Sequence, residues 1–382
     1  MSEGRVLITG AGVGGLALGC ALAQRGIEPV VYERAGALKP VGAGLSMQTN
    51  ALLALRRLGL AEAVKAAGAV LTGVRFQDWK GNVLAEASLA LIVAEFGEPM
   101  VVIHRARLHE ILLAAMGPER LHLGRVATGF DQDAEGVTLE LADGSERGAA
   151  LVGADGLRSV VRERLRGAET LRYAGYTAWR GVCPLPAGGL PARGVEVWGP
   201  GMRFGYTPMG SGEVYWFATA NAPAGGADGE RPREELLSRF EGWAEPVATL
   251  IASTPEAALL RTDILDRKPV DSWSRGRVTL LGDAAHPMTP NLGQGACQAI
   301  EDAVVLAECL AESPDPVAAF RRYEARRQAR TRWFVERSWA IGAVGQWEQS
   351  VWRALRDAGM RLTPSGAVVG QLRAMVAGSG LG

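Results

Sequence analysis

Residues 5–34 read RVLITGAGVGGLALGCALAQRGIEPVVYER. A short apolar run ends before Gly10, a glycine-rich turn follows, helical spacing continues to Gly26, and a second apolar run ends near Glu33. Short apolar runs bounded by glycine are typical of buried strands, whereas apolar residues three and four apart are typical of a helix. The stretch therefore predicts strand, turn, helix, strand, the first unit of a nucleotide-binding α/β fold.

The turn Gly10-Ala11-Gly12-Val13-Gly14-Gly15 matches the pattern G-x-G-x-x-G. Gly10 permits the tight turn, Gly12 lets the backbone approach a pyrophosphate, and Gly15 lets the helix pack close to the strand. The free N–H groups at the start of the helix attract phosphate. Glu33 lies about 20 residues further on, where a carboxylate accepts hydrogen bonds from a ribose. The pattern predicts dinucleotide binding, with FAD or NAD favoured over NADP.

The composition excludes several classes of function. The 382 residues include 41 basic and 41 acidic side chains, so the net charge gives no support for nucleic-acid binding. The cysteines form no C-x-x-C pair and no cluster with the four histidines, so we expect no metal site and reduced thiols in a cytoplasmic protein; they are Cys20, Cys183, Cys297 and Cys309.

Residues 6–23 are nearly all apolar or glycine, and they could be mistaken for a membrane segment. Five glycines interrupt this run, and Arg5 and Arg25 flank it closely. No signal-peptide layout precedes it. We therefore expect no membrane span.

Two later segments repeat the arrangement of an apolar strand followed by glycine and aspartate. LVGADGLRSVVRERL, residues 151–165, places Asp155-Gly156 after a strand, and VTLLGDAAH, residues 278–286, places Gly282-Asp283 there. Between them, strand-like runs at 195–199, 203–209 and 213–220, separated by glycine-rich turns, predict an antiparallel sheet.

Together, the three glycine turns resemble the group A flavoprotein monooxygenases, the para-hydroxybenzoate hydroxylase superfamily. They correspond to the dinucleotide motif, the DG motif and the GD motif of that family, over roughly residues 5–310. GYTAWRGV, residues 175–182, and GQGACQAIEDAVVLAE, residues 293–308, are similar to the branch of salicylate hydroxylase, urate hydroxylase and zeaxanthin epoxidase.

The resemblance implies an α/β fold: a Rossmann-type FAD-binding domain with an inserted antiparallel β-sheet for the substrate, and C-terminal helices. We predict that residues 1–72, 100–168 and 275–312 form the FAD-binding domain. Residues 73–99 and 169–274 are predicted to form the substrate-binding sheet, and residues 313–382 the C-terminal helical region.

The resemblance also implies a reaction. NADH or NADPH, bound transiently, reduces FAD, and O2 then forms a flavin C4a-hydroperoxide that hydroxylates a small aromatic or electron-rich ring. Two alternatives are the same fold performing epoxidation or Baeyer–Villiger-type oxygenation, and a non-catalytic flavin-binding redox protein. An NAD-dependent dehydrogenase would leave the GD motif without a role. We expect a monomer or a homodimer.

The family's motifs assign FAD contacts to positions of this sequence. Pro290 is expected against the flavin ring, and Ala296 stands where many relatives have a second glycine. The full set of predicted cofactor-binding residues is Gly10, Gly12, Gly14, Gly15, Glu33, Arg34, Arg105, Asp155, Gly282, Asp283, Pro290, Gly293, Gly295 and Ala296.

The inserted sheet is expected to supply the substrate wall. Arg203 and Tyr215 lie where urate hydroxylase-like relatives have an active-site arginine and tyrosine, but Asn291 follows Pro290 where those relatives carry an acid, which disfavours urate. The predicted catalytic residues are Arg203, Tyr215, Pro290 and His286, the last as a candidate base. The predicted substrate-contacting residues are Met47, Arg203, Tyr215 and Phe217.

Four tryptophans occur in the C-terminal helical sequence, at positions 333, 339, 347 and 352. We expect these helices to pack back against the flavin-binding domain. The alternatives are a dimer contact and a patch that lies on a membrane surface.

Overall fold

The computed structural model describes residues 4–38 and 43–380. Its strands are, in chain order, β1 (Val6–Thr9), β2 (Pro29–Glu33), β3 (Gly44–Met47), β4 (Ala69–Leu71), β5 (Gly73–Asp78), β6 (Val83–Ser88), β7 (Met100–His104), β8 (Leu121–Leu123), β9 (Ala127–Gln132), β10 (Val137–Leu141), β11 (Gly144–Gly148), β12 (Ala150–Gly153), β13 (Arg172–Pro184), β14 (Arg193–Trp198), β15 (Met202–Met209), β16 (Glu213–Asn221), β17 (Leu260–Asp266) and β18 (Val278–Leu280).

The helices of the described ranges are α1 (Val13–Ala23), α2 (Thr49–Arg57), α3 (Ala61–Ala67), α4 (Ala90–Phe96), α5 (Arg105–Met116), α6 (Val160–Arg166), α7 (Pro232–Arg239), α8 (Val247–Ala252), α9 (Gly295–Ala311), α10 (Pro316–Gly345), α11 (Ser350–Leu362) and α12 (Ser365–Ala377). None of them is long and apolar enough to cross a membrane. The same ranges hold no group of three His, Cys, Asp or Glu side chains that could bind a metal.

A five-stranded parallel sheet forms the centre of the nucleotide-binding unit. Its strand order is β18-β12-β1-β2-β8, so the strands of the three glycine motifs are neighbours. β1 and β12 are completely buried, because helices cover the sheet on both faces. Since the carboxyl ends of parallel strands meet at one edge, the fold brings the three motif loops together.

A second, seven-stranded sheet has the order β17-β13-β16-β15-β14-β5-β6. Neighbouring strands are antiparallel except for β14 and β5, which pair in parallel. Side chains alternate between the two faces. One face packs Phe204 and Trp216 against Phe240 and Leu250 of the α7–α8 segment, and the opposite face is turned towards a cavity. The predicted fold class, an α/β unit with an antiparallel sheet and C-terminal helices, is confirmed.

Helical spacing of apolar residues predicts one helix over residues 50–67 and one over residues 233–253, but each is shorter in the structure. The helical stretch 50–67 is divided into α2 and α3, and the stretch 233–253 into α7 and α8. Gly59 and Gly242, at the two interruptions, have φ of +71° and +76°, which is outside the helical region and is accessible to glycine without strain. Strands from 73–99 and from 169–274 share one sheet, and the division of the chain into domains stays a prediction.

Candidate active site

Three loops meet where β1, β12 and β18 end. The N–H of Ala154 donates to the carbonyl of Thr9, and the N–H of Leu281 donates to the carbonyl of Gly153, both at 2.9 Å. These hydrogen bonds continue the sheet one residue beyond its strands. They hold the loops of the three motifs side by side at the carboxyl edge.

A Cβ atom would clash with neighbouring atoms at three glycines of the first loop and would face open space at one. Gly10 has φ +95°, and a Cβ at Gly15 would overlap the carbonyl oxygen of Gly10. A Cβ at Gly14 would lie 2.5 Å from the Leu281 side chain. A Cβ at Gly12 would meet nothing within 4 Å, although Gly12 caps the start of α1. The space at Gly12 and the absence of acids from the first turn of α1 fit a pyrophosphate.

Glu33 ends β2 beside this loop. Its carboxylate accepts hydrogen bonds from the backbone N–H groups of Ala11 at 2.8 Å and Ala35 at 2.9 Å. The structure therefore fixes the side chain against the glycine turn. Arg34, predicted as a cofactor residue, is exposed and does not line the cavity, because its side chain points to solvent beyond the end of β2.

Asp155 is bound within the protein. Its carboxylate accepts hydrogen bonds from the Ser159 hydroxyl at 2.5 Å and from the N–H of Val160 at 2.8 Å, at the start of α6. Burial raises the pKa of Asp155, and these hydrogen bonds oppose that effect. Its neighbours Ala154 and Gly156 line the cavity, whereas Asp155 does not.

Arg105 and Asp283 are the charged residues that line the cavity on this side. Both side chains are exposed to it, and neither makes a hydrogen bond or ion pair with the described residues. Burial in the cavity wall raises the pKa of Asp283, and the nearby His286 and Arg105 side chains oppose that rise. Groups of opposite charge that lack protein partners are suited to binding a polar ligand.

The loop of residues 289–294, here called the Pro290 loop, precedes α9. Gly293 has φ +63° and ends a single turn formed by Pro290–Leu292. The Gln48 amide donates to the carbonyl of Leu292 at 2.6 Å, and the Gln294 amide donates to the Gln48 side chain at 2.8 Å. Pro290, Gly293, Gly295 and Ala296 all line the cavity. The N-terminus of α9 therefore points to the cavity from a loop that is fixed by hydrogen bonds.

A buried charge cluster, consisting of Glu301, Asp302, Arg327 and Arg330, anchors α9 to α10. Arg327 donates to Asp302 at 2.7 Å and to Glu301, and Arg330 donates to both oxygens of Glu301 at 2.7 and 2.8 Å. Burial raises the pKa of Asp302, but His286 and Arg327 lower it more, so that it lies below its usual value. The cluster holds α9, and with it the Pro290 loop, in place.

The buried charge cluster was not predicted from the sequence. Two adjacent acids in the apolar stretch of α9 could have indicated such a cluster, because buried acidic side chains need partners of opposite charge. Their partner could not be identified, because α10 contains many arginines and nothing local distinguishes Arg327 from the exposed ones.

Two predicted site residues lie outside the cavity. His286 is nearly buried, with its Nε2 2.5 Å from Asp302 Oδ2 and its ring against Trp273. Met47 is 0% exposed and belongs to the hydrophobic core of the nucleotide-binding unit. Neither residue lines the cavity, so the structure gives no support to His286 as a base or to Met47 as a substrate contact, and both stay predictions. His286 is held by the buried charge cluster, and the Met47 side chain is directed into the core.

Arg203 lies in the wall of the cavity but is only 2% exposed. Its guanidinium donates to Gln346 at 2.9 Å, to Glu196 at 3.1 Å and to Asn291 at 2.6 Å. Asn291 in turn donates to the Tyr176 hydroxyl at 2.9 Å. Arg203 therefore connects the sheet to the Pro290 loop and to the end of α10.

Tyr215 and Phe217 line the cavity from the sheet face that holds Arg203. Tyr215 packs against Gly44, where a Cβ would lie 2.6 Å from the tyrosine side chain. Phe217 covers Gly205 on the neighbouring strand in the same way. Burial raises the pKa of Tyr215, and nearby Arg180 opposes the shift. Tyr215 is therefore protonated at neutral pH and can donate a hydrogen bond.

The cavity has a volume of about 1350 Å³. It extends from the three motif loops across the seven-stranded sheet to α11 and α12. This volume exceeds that of an ordinary small-molecule site. Together with the open glycine turn and the two unpaired charges, it fits a cofactor of the size of FAD with further room for a substrate.

Comparison with known proteins decides the family. A family model described as FAD binding domain matches residues 3–338. The chain belongs to the group A FAD-dependent monooxygenases. It is 50% identical over 369 residues to the aurachin C monooxygenase/isomerase of Stigmatella aurantiaca, covering 96% of both chains. It is 36% identical to the 2-heptyl-3-hydroxy-4(1H)-quinolone synthase of Pseudomonas aeruginosa, covering 94% of both chains.

The structural comparison agrees. The crystal structure of Klebsiella pneumoniae HpxO complexed with FAD and uric acid superposes with a TM-score of 0.94 at 32% identity, over 100% of this chain and 99% of that one. The predictions of an FAD monooxygenase that hydroxylates an aromatic or electron-rich ring, and of FAD with NAD(P)H as cofactors, are confirmed.

FAD, when bound, accepts a hydride from NAD(P)H and activates O2 for transfer of one oxygen atom. The protein contributes binding, orientation and exclusion of water. The N-terminus of α9 offers backbone N–H groups and a positive dipole end, which stabilise negative charge on a bound ring system. The apolar walls keep water away from the reacting atoms.

Proposed function

We propose that this enzyme hydroxylates an aromatic or heteroaromatic ring that carries a long hydrocarbon chain. The observation that carries the proposal is the apolar part of the cavity, here called the apolar arm. It is lined by side chains of β4 to β7, α11 and α12: Leu71, Val74, Phe76, Ala85, Met100, Met360, Val368 and Leu372.

The geometry of the sheet supports this substrate class. Asn291 of the Pro290 loop donates a hydrogen bond to Tyr176 of β13 and accepts one from Arg203 of β15, whereas the apolar arm lies over β5 and β6. β15 and β6 are three strand spacings apart in the sheet, which corresponds to a distance of about 14 Å. That length accommodates an extended hydrocarbon chain, while the ring remains at the Pro290 loop.

The names of two relatives also support the proposal. One synthesises a quinolone with a heptyl chain, and the relative at 50% identity acts on aurachin C. Uric acid, bound in the structurally similar HpxO, is a ring without a chain. Asn291 occupies the position after Pro290 where urate hydroxylase-like relatives are expected to carry an acid, so urate is disfavoured.

We propose the following roles for the residues. Gly10, Gly12, Gly14, Gly15 and Glu33 bind the adenosine and pyrophosphate part of FAD, while Arg105, Gly282 and Asp283 bind its middle. Pro290, Gly293, Gly295 and Ala296 contact the flavin ring. Tyr215 and Phe217 contact the ring of the substrate. Arg203 positions the Pro290 loop, and Asp155 positions α6. A cytoplasmic location and a monomeric or dimeric state complete the proposal.

Steady-state kinetics with two matched substrates test it. The FAD-loaded enzyme is given 2-heptyl-4(1H)-quinolone or the same ring with a methyl group in place of the chain. We expect the heptyl compound to have the higher kcat/KM, by about tenfold or more, because each buried methylene contributes to binding. Product analysis distinguishes hydroxylation from epoxidation or ring insertion. Equal kcat/KM for both compounds would contradict the proposed role of the apolar arm.

Filling the apolar arm gives a second test. Ala85→Phe should lower kcat/KM for the heptyl compound by about tenfold or more and leave the methyl compound nearly unchanged, because the new ring occupies the space of the chain. Val83→Phe is the matched control, since Val83 lies on the same strand, is 46% exposed and does not line the cavity. A lower kcat/KM of Ala85→Phe with both substrates, or a lower kcat/KM of the control variant, would show that the hydrocarbon chain does not bind in the apolar arm.

A further inference from the structure

α11 presents its apolar side to solvent. Val351, Leu355, Ala358 and Leu362 recur at helical spacing and form one row, here called the α11 stripe. All four residues are exposed, and Val351, Leu355 and Leu362 have exposed fractions of 67%, 58% and 82%. Large apolar side chains with such exposure, aligned on one helix face, have no role in the fold of the monomer.

The side of α11 that faces the protein carries the buried Arg356 beside Met360 of the apolar arm. Arg356 is 6% exposed, pairs with Asp357 and lies 5.0 Å from the ring centre of Trp198. A surface helix of a globular protein normally buries its apolar face and exposes its charged one. α11 is inverted with respect to this rule, so its apolar stripe is available to a partner outside the chain.

The α11 stripe is continuous with the cavity. Leu355 belongs to the stripe and also lines the cavity, and Trp352, at the edge of the stripe, is 50% exposed and lines the cavity as well. An apolar surface therefore leads from the outside of the helix into the apolar arm. The α11 stripe and the cavity are therefore connected through Leu355 and Trp352.

We propose that α11 lies in the surface of a lipid bilayer and that apolar substrate enters the cavity from the lipid. The choice of a bilayer rests partly on the proposed substrate class, because a ring with a long hydrocarbon chain partitions into lipid. Amphipathic helices with basic residues bind to such surfaces with their apolar face among the acyl chains. The contact is mainly apolar, because three arginines of α11 and α12 (Arg356, Arg361 and Arg373) pair with carboxylates of the protein.

The size of the stripe argues against a second copy of the chain as its partner. α11 has 13 residues. A helix of that length is about 20 Å long and about 10 Å wide, which gives a stripe of about 200 Å². A stable dimer buries about 800 Å² on each partner. A bilayer needs no complementary protein surface of that size.

Flotation with lipid vesicles tests the proposal. The FAD-loaded full chain is mixed with vesicles of phosphatidylglycerol and phosphatidylcholine in equal parts, and separately with phosphatidylcholine alone. We expect the protein to float with both kinds of vesicle, because the α11 stripe makes an apolar contact. The double variant Val351→Gln/Leu362→Gln should bind at least about tenfold more weakly, because two large apolar side chains are lost from the lipid contact.

The variant is chosen to leave the catalytic site intact, because neither Val351 nor Leu362 lines the cavity. Leu123→Gln is the matched control: Leu123 is an exposed leucine on β8, at the edge of the other sheet. Absence of wild-type binding to either vesicle, or equal binding by the double variant, would overturn the proposal. A concentration-dependent dimer that the double variant abolishes would also overturn it and assign the stripe to a second copy.

Vesicle binding requires no turnover, so it is independent of the test for the substrate class. If vesicle binding fails, the kinetic preference for the heptyl compound can still hold. If the kinetic preference fails, vesicle binding by α11 can still hold. The two results therefore separate the membrane contact from the proposed function.

Discussion

The two sides of the cavity are constructed in different ways. On the cofactor side, backbone conformation provides the binding surface: a glycine turn, two Gly-Asp loops and the start of α9, supported by buried charges. On the substrate side, side chains from two sheets and three helices provide it, and most of them are apolar. We infer that substitutions in the backbone-formed surface of the cofactor side weaken FAD binding. On the substrate side, single side-chain substitutions can change substrate specificity.

The largest effect is expected at the support of the cofactor side. Arg327→Met leaves Glu301 and Asp302 buried, with Arg330 as the remaining arginine partner, and should lower the free energy of unfolding by about 3–5 kcal/mol. Arg326→Met is the control on the same helix, because Arg326 pairs with Glu308 near the surface, and should cost less than about 1 kcal/mol. Urea unfolding of both FAD-free variants measures the difference. Similar decreases of the unfolding free energy in both variants would show that the buried charge cluster contributes no more to stability than the ion pair near the surface.

Next in size is the contrast between two glycines of the first loop. Gly15→Ala should destabilise the FAD-free protein by about 1–3 kcal/mol, because its Cβ overlaps the backbone of Gly10. Gly12→Ala should leave that stability nearly unchanged and weaken FAD binding about tenfold or more, because its Cβ enters the space left for the pyrophosphate. Thermal unfolding and FAD titration of both variants separate the two roles. FAD binding by Gly12→Ala at wild-type strength would contradict this assignment.

Acid should weaken the cofactor side first. The pKa of Asp302 is lowered by His286 and Arg327 against the effect of burial, and Arg327 similarly lowers that of Glu301. Their stabilisation is present above the unfolded-state pKa of about 4 and is lost as the pH falls towards the folded-state values. We expect unfolding free energy to fall steeply below about pH 4, and less steeply in Asp302→Asn. Identical pH profiles would assign the acid sensitivity to other carboxylates.

The smallest change in stability is expected at Asp283. The surrounding protein raises its pKa, and its carboxylate has no hydrogen-bond partner in the described ranges. Asp283→Asn should therefore leave the stability of the FAD-free protein unchanged or slightly raise it, while FAD binds more weakly. Calorimetry of the FAD-free protein and FAD titration measure the two effects. A clear loss of stability without FAD would show that Asp283 is structural.

The difference between the two sides of the cavity also explains which features could be predicted from the sequence. A tight turn that needs φ of +95° at Gly10, or a close approach at Gly15, is a local requirement, so it is visible as a glycine at a fixed spacing. The antiparallel sheet was predicted from strand-like runs separated by glycine-rich turns, whereas the position of Pro290 against the flavin was predicted from the family resemblance.

Long-range packing could not be predicted. His286 pairs with Asp302, and Met47 enters the core, because of neighbours that the chain supplies from distant elements. The inversion of α11 is another example: helical spacing shows an apolar stripe, but only the fold shows that this stripe faces outward. The C-terminal helices were expected to pack against the flavin-binding domain, and α10 does so through the buried charge cluster, whereas Trp347 and Trp352 line the cavity.

The most direct test of the account is oxygen incorporation by the FAD-loaded enzyme with isotopically labelled O2, NADPH or NADH, and 2-heptyl-4(1H)-quinolone. Mass spectrometry of the product gives the result. The account predicts one labelled oxygen atom on the ring, with one NAD(P)H consumed for each product formed, and far less product from the methyl counterpart. NAD(P)H oxidation that yields only hydrogen peroxide with the heptyl compound, together with labelled product from a ring without a chain, would contradict it.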